Sequence, residues 1–564
     1  VAEILSLSFF IPIFEIFLNS GNMINIDSNK LSYYFHSFIN FINLDYNLFN
    51  LLLVSFILFL ISRLFIYSSS YLNIYFETKI TKEIRDLMQN NYFQASSEYF
   101  DNVSSSDFIN IAQVQIKQAI AKVFLKIKFA VFLVSAIVSL FALLSLSYKL
   151  TLLTIFITLI PVLLSSIWIK KSRYVGKQHS LSEKDITNYL MGRLKALKLI
   201  FISNSYNLEK KNYFSLTNST RKLLLLNQIL KLKTQVFMEV SSIFIALSLA
   251  YLAIIYLQIN VEIIFLYLII SIRLIPIIKN ILSTYQSIRA NIGSMEIVQD
   301  FFSAFNLKQN KSNILPQSNL DQFNKIINIK FSKVNYSYRS NKKKVLQNIN
   351  FEIQSNSLNL IVGPSGAGKS TILDLISTYR KPTNGDILVN NLLFEYKYQN
   401  QIKSQISYLP QETVFFESNI FDHITYNQSF DKNLLDTALN LSGVNEFINL
   451  NTDLKSVKLT ENASNFSGGQ KQRIDLARII YENRSILILD EPTNQLDYET
   501  ENKFIKNIKT IVKQRGLIAI IITHKIELGE LADNIILLEN GQIIAQGQHK
   551  ELVRNVNWYN KKMK

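Results

Sequence analysis

Residues 363–370 read Gly-Pro-Ser-Gly-Ala-Gly-Lys-Ser, a G-x-x-x-x-G-K-[ST] run between an apolar stretch and a helical one. Gly363, Gly366 and Gly368 let backbone N–H groups turn toward a phosphate, and the helix that follows adds the positive end of its dipole. Lys369 is then placed to reach the β and γ phosphates, and the Ser370 hydroxyl to supply an oxygen to magnesium. Farther along, Ile486, Leu487, Ile488 and Leu489 end in Asp490 and Glu491. A carboxylate at the end of a buried strand can hold magnesium, directly or through water, and its neighbour can polarise an attacking water. An ordinary acidic junction between strand and loop has the same appearance. Between the two sets, Ser467, Gly468, Gly469 and Gln470 open a helical run. Such a turn can be a plain cap, although exposed N–H groups at a helix start also bind anions.

These residues need a scaffold, and the distribution of glycine shows that the chain has two. Of fifteen glycines, only Gly21, Gly176, Gly192 and Gly293 precede residue 300. The 564 residues leave room for several domains. Mean hydropathy is +0.16 and charged residues are 18%, against about 25% in soluble proteins; a wholly soluble or disordered chain does not fit. The absence of cysteine excludes disulfides, thiol nucleophiles and zinc–thiolate sites. The chain opens at Val1 inside an apolar run, so its N-terminus is expected to be truncated.

Uncharged runs at 129–148, 150–169 and 240–261 have the length that crosses about 30 Å of hydrocarbon as helix. Runs at 2–19, 48–76 and 263–281 are equally apolar, interrupted by Glu15, Arg63 and Arg273. Six spans are expected. Lys and Arg crowd the segments 77–128 and 170–236, which places both in the cytoplasm. The formal charge of +17 is thereby largely accounted for without a nucleic-acid partner. With no Gly or Pro between Gly21 and Pro161, spans two and three should continue as helices beyond the bilayer. Their hairpin should turn near 99–107, where Asn102 and Ser104, Ser105 and Ser106 favour a turn or cap. From about 328, short β-rich runs at 358–362, 485–489 and 517–522 alternate with helical stretches, the pattern of an α/β domain with a largely parallel sheet. The polar stretch 308–324 reads as a linker.

With its motifs in this order, the chain resembles the nucleotide-binding domain of ABC transporters. Ser467, Gly468, Gly469 and Gln470 match the signature motif, and Asp490 and Glu491 the Walker B aspartate and catalytic glutamate. Leu496 and Asp497 match the D-loop, Gln411 after Tyr408, Leu409 and Pro410 the Q-loop, and His524 after Thr523 the switch histidine. Tyr338 matches the aromatic that stacks on adenine; taken singly, Tyr338, Gln411 and His524 would read as scaffold. The resemblance implies ATP and Mg2+ as cofactors. It puts Glu491, His524 and Gln411 in catalysis and Ser370, Gln411 and Asp490 at the metal. The nucleotide would meet Tyr338, Gly363, Ser365, Gly366, Gly368, Lys369, Ser370, Thr371, Ser467, Gly468, Gly469, Gln470 and Asp497. One departure is Asn494 and Gln495, where exporters often carry Ser and Ala.

Six spans followed by one such domain resemble the half-transporter of type IV ABC exporters. The implied architecture is an all-α six-helix transmembrane domain at 1–307 with long cytoplasmic helical extensions. A linker at 308–327 and an α/β P-loop NTPase domain of ABC type at 328–564 follow. The resemblance implies ATP-driven export or flipping by a dimer, a homodimer in the simplest case, in which one subunit's signature closes on the ATP held by the other's P-loop. Coupling helices would lie near 98–109 and 198–208, and the nucleotide domains on the cytoplasmic side of a bacterial inner membrane. Arg273, Leu274, Ile275 and Pro276 resemble the Arg-Leu-x-Pro stretch of flippases for lipid-linked oligosaccharides, a group that Glu3 and Pro12 also fit, less specifically. A polyprenyl-pyrophosphate-linked glycan is the implied substrate. An Arg at mid-span costs about 2.5–3.5 kcal/mol on insertion scales, so it faces a cavity or a partner, and an ion pair with Glu15 or Glu239 is equally open. The alternatives are a peptide, lipid or drug exporter and, from another class, an ATP-gated channel or regulator. Glu491 and His524 argue against the last, since a gate needs no complete hydrolytic set.

Overall fold

The computed structural model describes residues 45, 47–93, 95, 97, 101, 104–256, 261–306, 325–338, 344–395, 398–415, 419–426, 428–448, 453–460, 463–494, 498–556 and 559–560. The chain falls into two compact units that meet in sequence between Asn310 and Lys311. The expected span at 2–19, with Glu3, Pro12 and Glu15, lies outside the described residues, as do Asn102 and the linker stretch 308–324.

The first unit is helical: α1 (Leu48–Phe93), α2 (Ser105–Asn110), α3 (Ile116–Leu146), α4 (Tyr148–Leu194), α5 (Leu197–Ile202), α6 (Tyr206–Ile255), α7 (Val261–Ala290) and α8 (Ile292–Asn306). A π-helical turn, Ile111–Gln115, joins α2 to α3. Among the described residues four helical runs, α1, Ser105–Leu144, α4 and α6, are long and apolar enough to cross a membrane. Their outward side chains are bare, Phe141 and Phe156 each at about three-quarters exposure (75% and 74%). Water would penalise that surface and hydrocarbon would not. The expected span at 263–281 falls within α7; the count of six rests on the sequence.

The long helices are the direct outcome of a stretch without breakers, and α1 runs for 46 residues. The hairpin turns where the serines were expected to turn it, for Ser104 caps α2 by accepting from the Asp107 N–H. Beyond the apolar spans a buried polar seam joins the helices. Asn110 Nδ2 donates to Thr187 Oγ1 at 2.9 Å, Gln286 Nε2 to Ser172 Oγ at 2.7 Å, and Ser294 Oγ to Gln118 Oε1 at 2.6 Å. At the crossing of α4 and α7, a Cβ on Gly176 would lie 2.1 Å from the Ala290 carbonyl oxygen. Only glycine permits that approach.

Among its described residues the second unit holds ten strands in two sheets: β1 (Asn328–Ser337), β2 (Lys344–Gln354), β3 (Ser357–Val362), β4 (Asn384–Val389), β5 (Leu392–Leu393), β6 (Ile406–Leu409), β7 (Ile486–Asp490), β8 (Ile518–Thr523), β9 (Asn534–Glu539) and β10 (Gln542–Gly547). The main sheet has the order β10-β9-β3-β8-β7-β6. It is parallel from β9 to β6, with β10 antiparallel at its edge. A separate antiparallel sheet, β2-β1-β4-β5, was not anticipated from the sequence. The helices of this unit include α9 (Lys369–Ile376), α10 (Gln399–Ser404), α11 (Ile420–Ile424), α12 (Lys432–Ser442), α13 (Gly468–Glu482), α14 (Tyr498–Arg515) and α15 (His549–Asn555). Every residue of β8 is buried, because a central parallel strand has apolar layers on both faces. Leu487, Leu489, Ala519 and Ile521 fill one layer, and Ile486, Ile488, Ile520 and Ile522 the other. This packing puts the C-terminal ends of β3, β6, β7 and β8 side by side, the edge at which parallel α/β sheets bind ligands.

Candidate functional site

The glycine-rich loop leaves β3 and enters α9 with the backbone that its composition anticipates. Gly366 (φ +81°) and Gly368 (φ +103°) lie in the left-handed region, and a Cβ on Gly363 would meet the Leu538 carbonyl oxygen at 2.1 Å. Lys369 is buried and folds back over the loop, donating from Nζ to the carbonyls of Gly363 at 2.6 Å and Pro364 at 3.0 Å. Burial lowers its pKa, while the charges of Glu491 and Asp490 pull it back up. Ser365, Gly366 and Ser370 are exposed, and Thr371 is buried beneath them.

Strand β7 delivers the carboxylates. Asp490 pairs in register with Ile522 of β8. Its pKa is raised by burial first, then by Glu491 and Asp374, against the opposing pull of Lys369 and a hydrogen bond from Tyr408. The local charge is therefore incompletely compensated, and together with the exposed Ser370 hydroxyl this donor set fits a hard divalent cation such as Mg2+. Glu491, next in the chain, takes φ +46°, a conformation that costs a non-glycine residue about 1–3 kcal/mol. Its N–H donates to the Ile522 carbonyl at 2.9 Å, which holds the turn.

That turn aims the Glu491 carboxylate at three groups, one from the turn itself and two from the loops past β6 and β8. Gln411, just past β6, donates from Nε2 to Glu491 Oε2 at 2.7 Å. Asn494 Nδ2 donates to the same oxygen at 2.6 Å. His524 Nδ1, just past β8, lies 3.4 Å from Oε1. One carboxylate oxygen is thus held by two amides, and the other is left more open to a proton from a reacting water. Residues 411, 491 and 524 were expected here. Asn494 was noted only as a departure from the usual exporter residue, and its spacing of three from Glu491 within one turn was the signal that could have found it. If the site hydrolyses ATP as the resemblance implies, replacing Asn494 with Ala should lower the maximal rate at least about tenfold with little change in KM, since one hydrogen bond to a charged group is worth about 1.5–3 kcal/mol. Steady-state kinetics on the purified chain check this, and a change confined to KM would count against a positioning role.

Tyr338, one residue past β1, is half-buried, and its hydroxyl lies 3.3 Å from Thr371 Oγ1. Ser467 is the N-cap of α13 in a complete capping box: Gln470 N–H donates to Ser467 Oγ at 3.3 Å, and Ser467 N–H to Gln470 Oε1 at 2.9 Å. The cap reading is realised, and the box leaves the Gly468 and Gly469 N–H groups as the remaining donors of the first turn. Among the described residues, no hydrogen bond or ion pair links 467–470 to the glycine-rich loop. Leu496 and Asp497 lie outside the described residues, as does the side chain of Arg273, whose backbone is part of α7. Glu239, one of the two carboxylates considered for Arg273, pairs with Lys279.

Residues 346–494 match the ABC transporter family. A Rickettsia bellii (strain RML369-C) protein, provisionally named an export ATP-binding/permease protein, is 37% identical over 234 residues, 41% of this chain and 40% of that one. The alpha-hemolysin translocation ATP-binding protein HlyB of Escherichia coli O6:H1 (strain CFT073) is 35% identical over 227 residues, 40% of this chain and 32% of that protein. The chain thus spans about two fifths or less of the length of these curated relatives. The solved structure of a bacterial Atm1-family ABC exporter with ATP bound superposes with a TM-score of 0.77, covering 100% of this chain and 96% of that one at 17% identity. The likeness is one of fold: a helical unit with helices long and apolar enough to cross a membrane, followed by an α/β unit of ABC type.

Proposed function

We propose that the chain is one subunit of a dimeric ABC exporter that hydrolyses ATP to move an amphipathic substrate across a membrane. The carrying observation is the setting of Glu491, a strained carboxylate held by Gln411 and Asn494 beside His524, at the strand ends that adjoin the glycine-rich loop. A site that only bound nucleotide would not need it.

In this reading Lys369 exchanges its loop carbonyls for the β and γ phosphates, and the N–H groups of 363–371 surround them. Ser370, Asp490 and Gln411 would hold magnesium, which when bound supplies positive charge against the charge developing on the transferred phosphoryl group. Glu491 takes the proton of the attacking water on its more open oxygen. The hydrolysed bond lies between the γ phosphorus and the bridging oxygen, so the products are ADP and inorganic phosphate. Exposed apolar α5, none of whose residues is buried and whose Phe201 is 86% exposed, supports a second copy. Segments 77–128 and 170–236 and the nucleotide unit take the cytoplasmic side, the inner membrane being the bacterial setting.

For the substrate, the stretch 273–276 favours a polyprenyl-pyrophosphate-linked glycan, with the Arg273 guanidinium on the pyrophosphate. In proteoliposomes, ATP should drive movement of a labelled glycan of this kind, and Arg273→Ala should slow it at least about tenfold while basal ATPase persists. Arg273→Lys should lose less, keeping the charge without the bidentate fork. ATP hydrolysis with no movement of glycan, peptide or lipid would end the export reading and leave a gate or regulator. Movement of peptide but not glycan would replace the substrate.

A further inference from the structure

Arg380 belongs to none of the nucleotide motifs, yet it is tied to α9, the helix that the glycine-rich loop enters. Its side chain is buried, 8% exposed, and it stands shortly after α9. Its backbone N–H donates to the Asp374 carbonyl at 2.9 Å, its Nε to Asp374 Oδ2 at 2.8 Å and its Nη1 to the Tyr336 hydroxyl at 3.2 Å. Held by these bonds, the guanidinium carbon lies 4.7 Å from the centroid of the Tyr338 ring. That ring also meets Tyr336 edge-on, with centroids 5.2 Å apart at 85°, and reaches Thr371 through its hydroxyl. The phenol ring is therefore covered on one face by a cation, flanked by a second ring at right angles to it and tied at its tip to a residue of α9. It nevertheless remains half-exposed.

A flat, half-exposed aromatic beside a phosphate loop is a stacking platform for a base. A free tyrosine would sample other rotamers and lose ordering entropy when a base docked; a braced one is already in place. We infer that Arg380 is a positioning residue for the base of the nucleotide, its guanidinium backing one face of Tyr338 while the purine stacks on the other. This rests on the nucleotide-binding reading proposed above. Arg suits the place because one planar group can pair with a carboxylate, donate to a hydroxyl and cover a ring at once. Asp374 fixes the guanidinium to the same helix that opens with Lys369, so base and phosphate subsites share one rigid element.

The discriminating probes are ATP and inorganic tripolyphosphate, which has no base, each titrated with Mg2+ into the full chain in detergent. Arg380→Lys keeps the charge opposite Asp374 and loses the planar stack. It should raise the Kd of ATP about five- to tenfold and leave that of tripolyphosphate within about twofold. The KM for ATP should rise with kcat retained. In a Tyr338→Ala background Arg380→Lys should add nothing, because its effect passes through the ring. Arg380→Gln, planar but uncharged, is the second variant and should weaken ATP alone in the same way. Equal weakening of both probes would make Arg380 a brace of the phosphate loop only, and an unchanged ATP Kd would remove any role. Tighter ATP binding would mean that the guanidinium occupies the face the base needs. If the unmodified chain binds neither probe, the nucleotide reading itself falls, a result distinct from any of these.

Discussion

Glu491→Gln should bind ATP and hydrolyse it at least about a hundredfold more slowly than the unmodified chain, the lower range of what a positioned general base contributes. Two amide donors, Gln411 Nε2 and Asn494 Nδ2, meet at Glu491 Oε2. A glutamine at 491 can satisfy both only by turning its own oxygen toward them. That leaves its NH2 group where Oε1 stood, beside His524, and an amide nitrogen cannot accept the proton of a water. The substitution therefore replaces the base with a donor at the reacting side while hardly changing shape. Lys369 and the glycine loop are untouched, so nucleotide should accumulate unhydrolysed and, in the proposed dimer, hold the two subunits closed. ATPase turnover and retained nucleotide in the purified variant measure this. Near-normal turnover would remove Glu491 from the chemistry and with it the observation on which the proposed function stands.

The second large effect concerns complementation. Lys369→Ala removes the phosphate cation, and Ser467→Arg fills the signature turn with a bulky charge. Each should be nearly inactive as a homodimer. Ser467 makes its capping bonds within its own turn, and the resemblance to ABC transporters implies that it contributes to a nucleotide site across the interface of a symmetric pair. In a defined mixed dimer, one site then receives both lesions and the other receives neither, and activity should return to about half, one intact site of two. Loss of the cap itself costs about 1 kcal/mol, which local fraying can absorb, and a matched melting curve would show it. Mixed dimers as inactive as either parent, alongside active hybrids of parent and wild-type chains, would remove the shared-site arrangement.

Gly363, Gly366, Gly368, Lys369 and Ser370 were legible because each answers a local demand. A left-handed φ, a backbone passing within contact of another strand or a charge at a helix start must be met by particular residue types at fixed spacing. The run of β8 was legible for the same reason, burial on both faces leaving no room for a polar residue. So were the long helices around the Ser104 turn, which follow from the absence of breakers and the presence of a cap. Gln411, His524 and Tyr338 became readable only through a family resemblance, since nothing in their immediate neighbours asks for them.

The sequence by itself determined the two architectures, the glycine-rich loop, the strand that ends in carboxylates and the helices long enough for a membrane. The tertiary structure alone decided which amides hold Glu491, that Arg380 backs Tyr338, and that Gly176 lets α4 touch α7 at Ala290. The antiparallel sheet β2-β1-β4-β5 belongs to this second group, because the pairing at its centre, β1 with β4, joins strands far apart in the chain. The physical reason is range: backbone conformation and hydrophobic period are set within a few residues, whereas Gln411 meets Glu491 only because β6 and β7 pair in a common register.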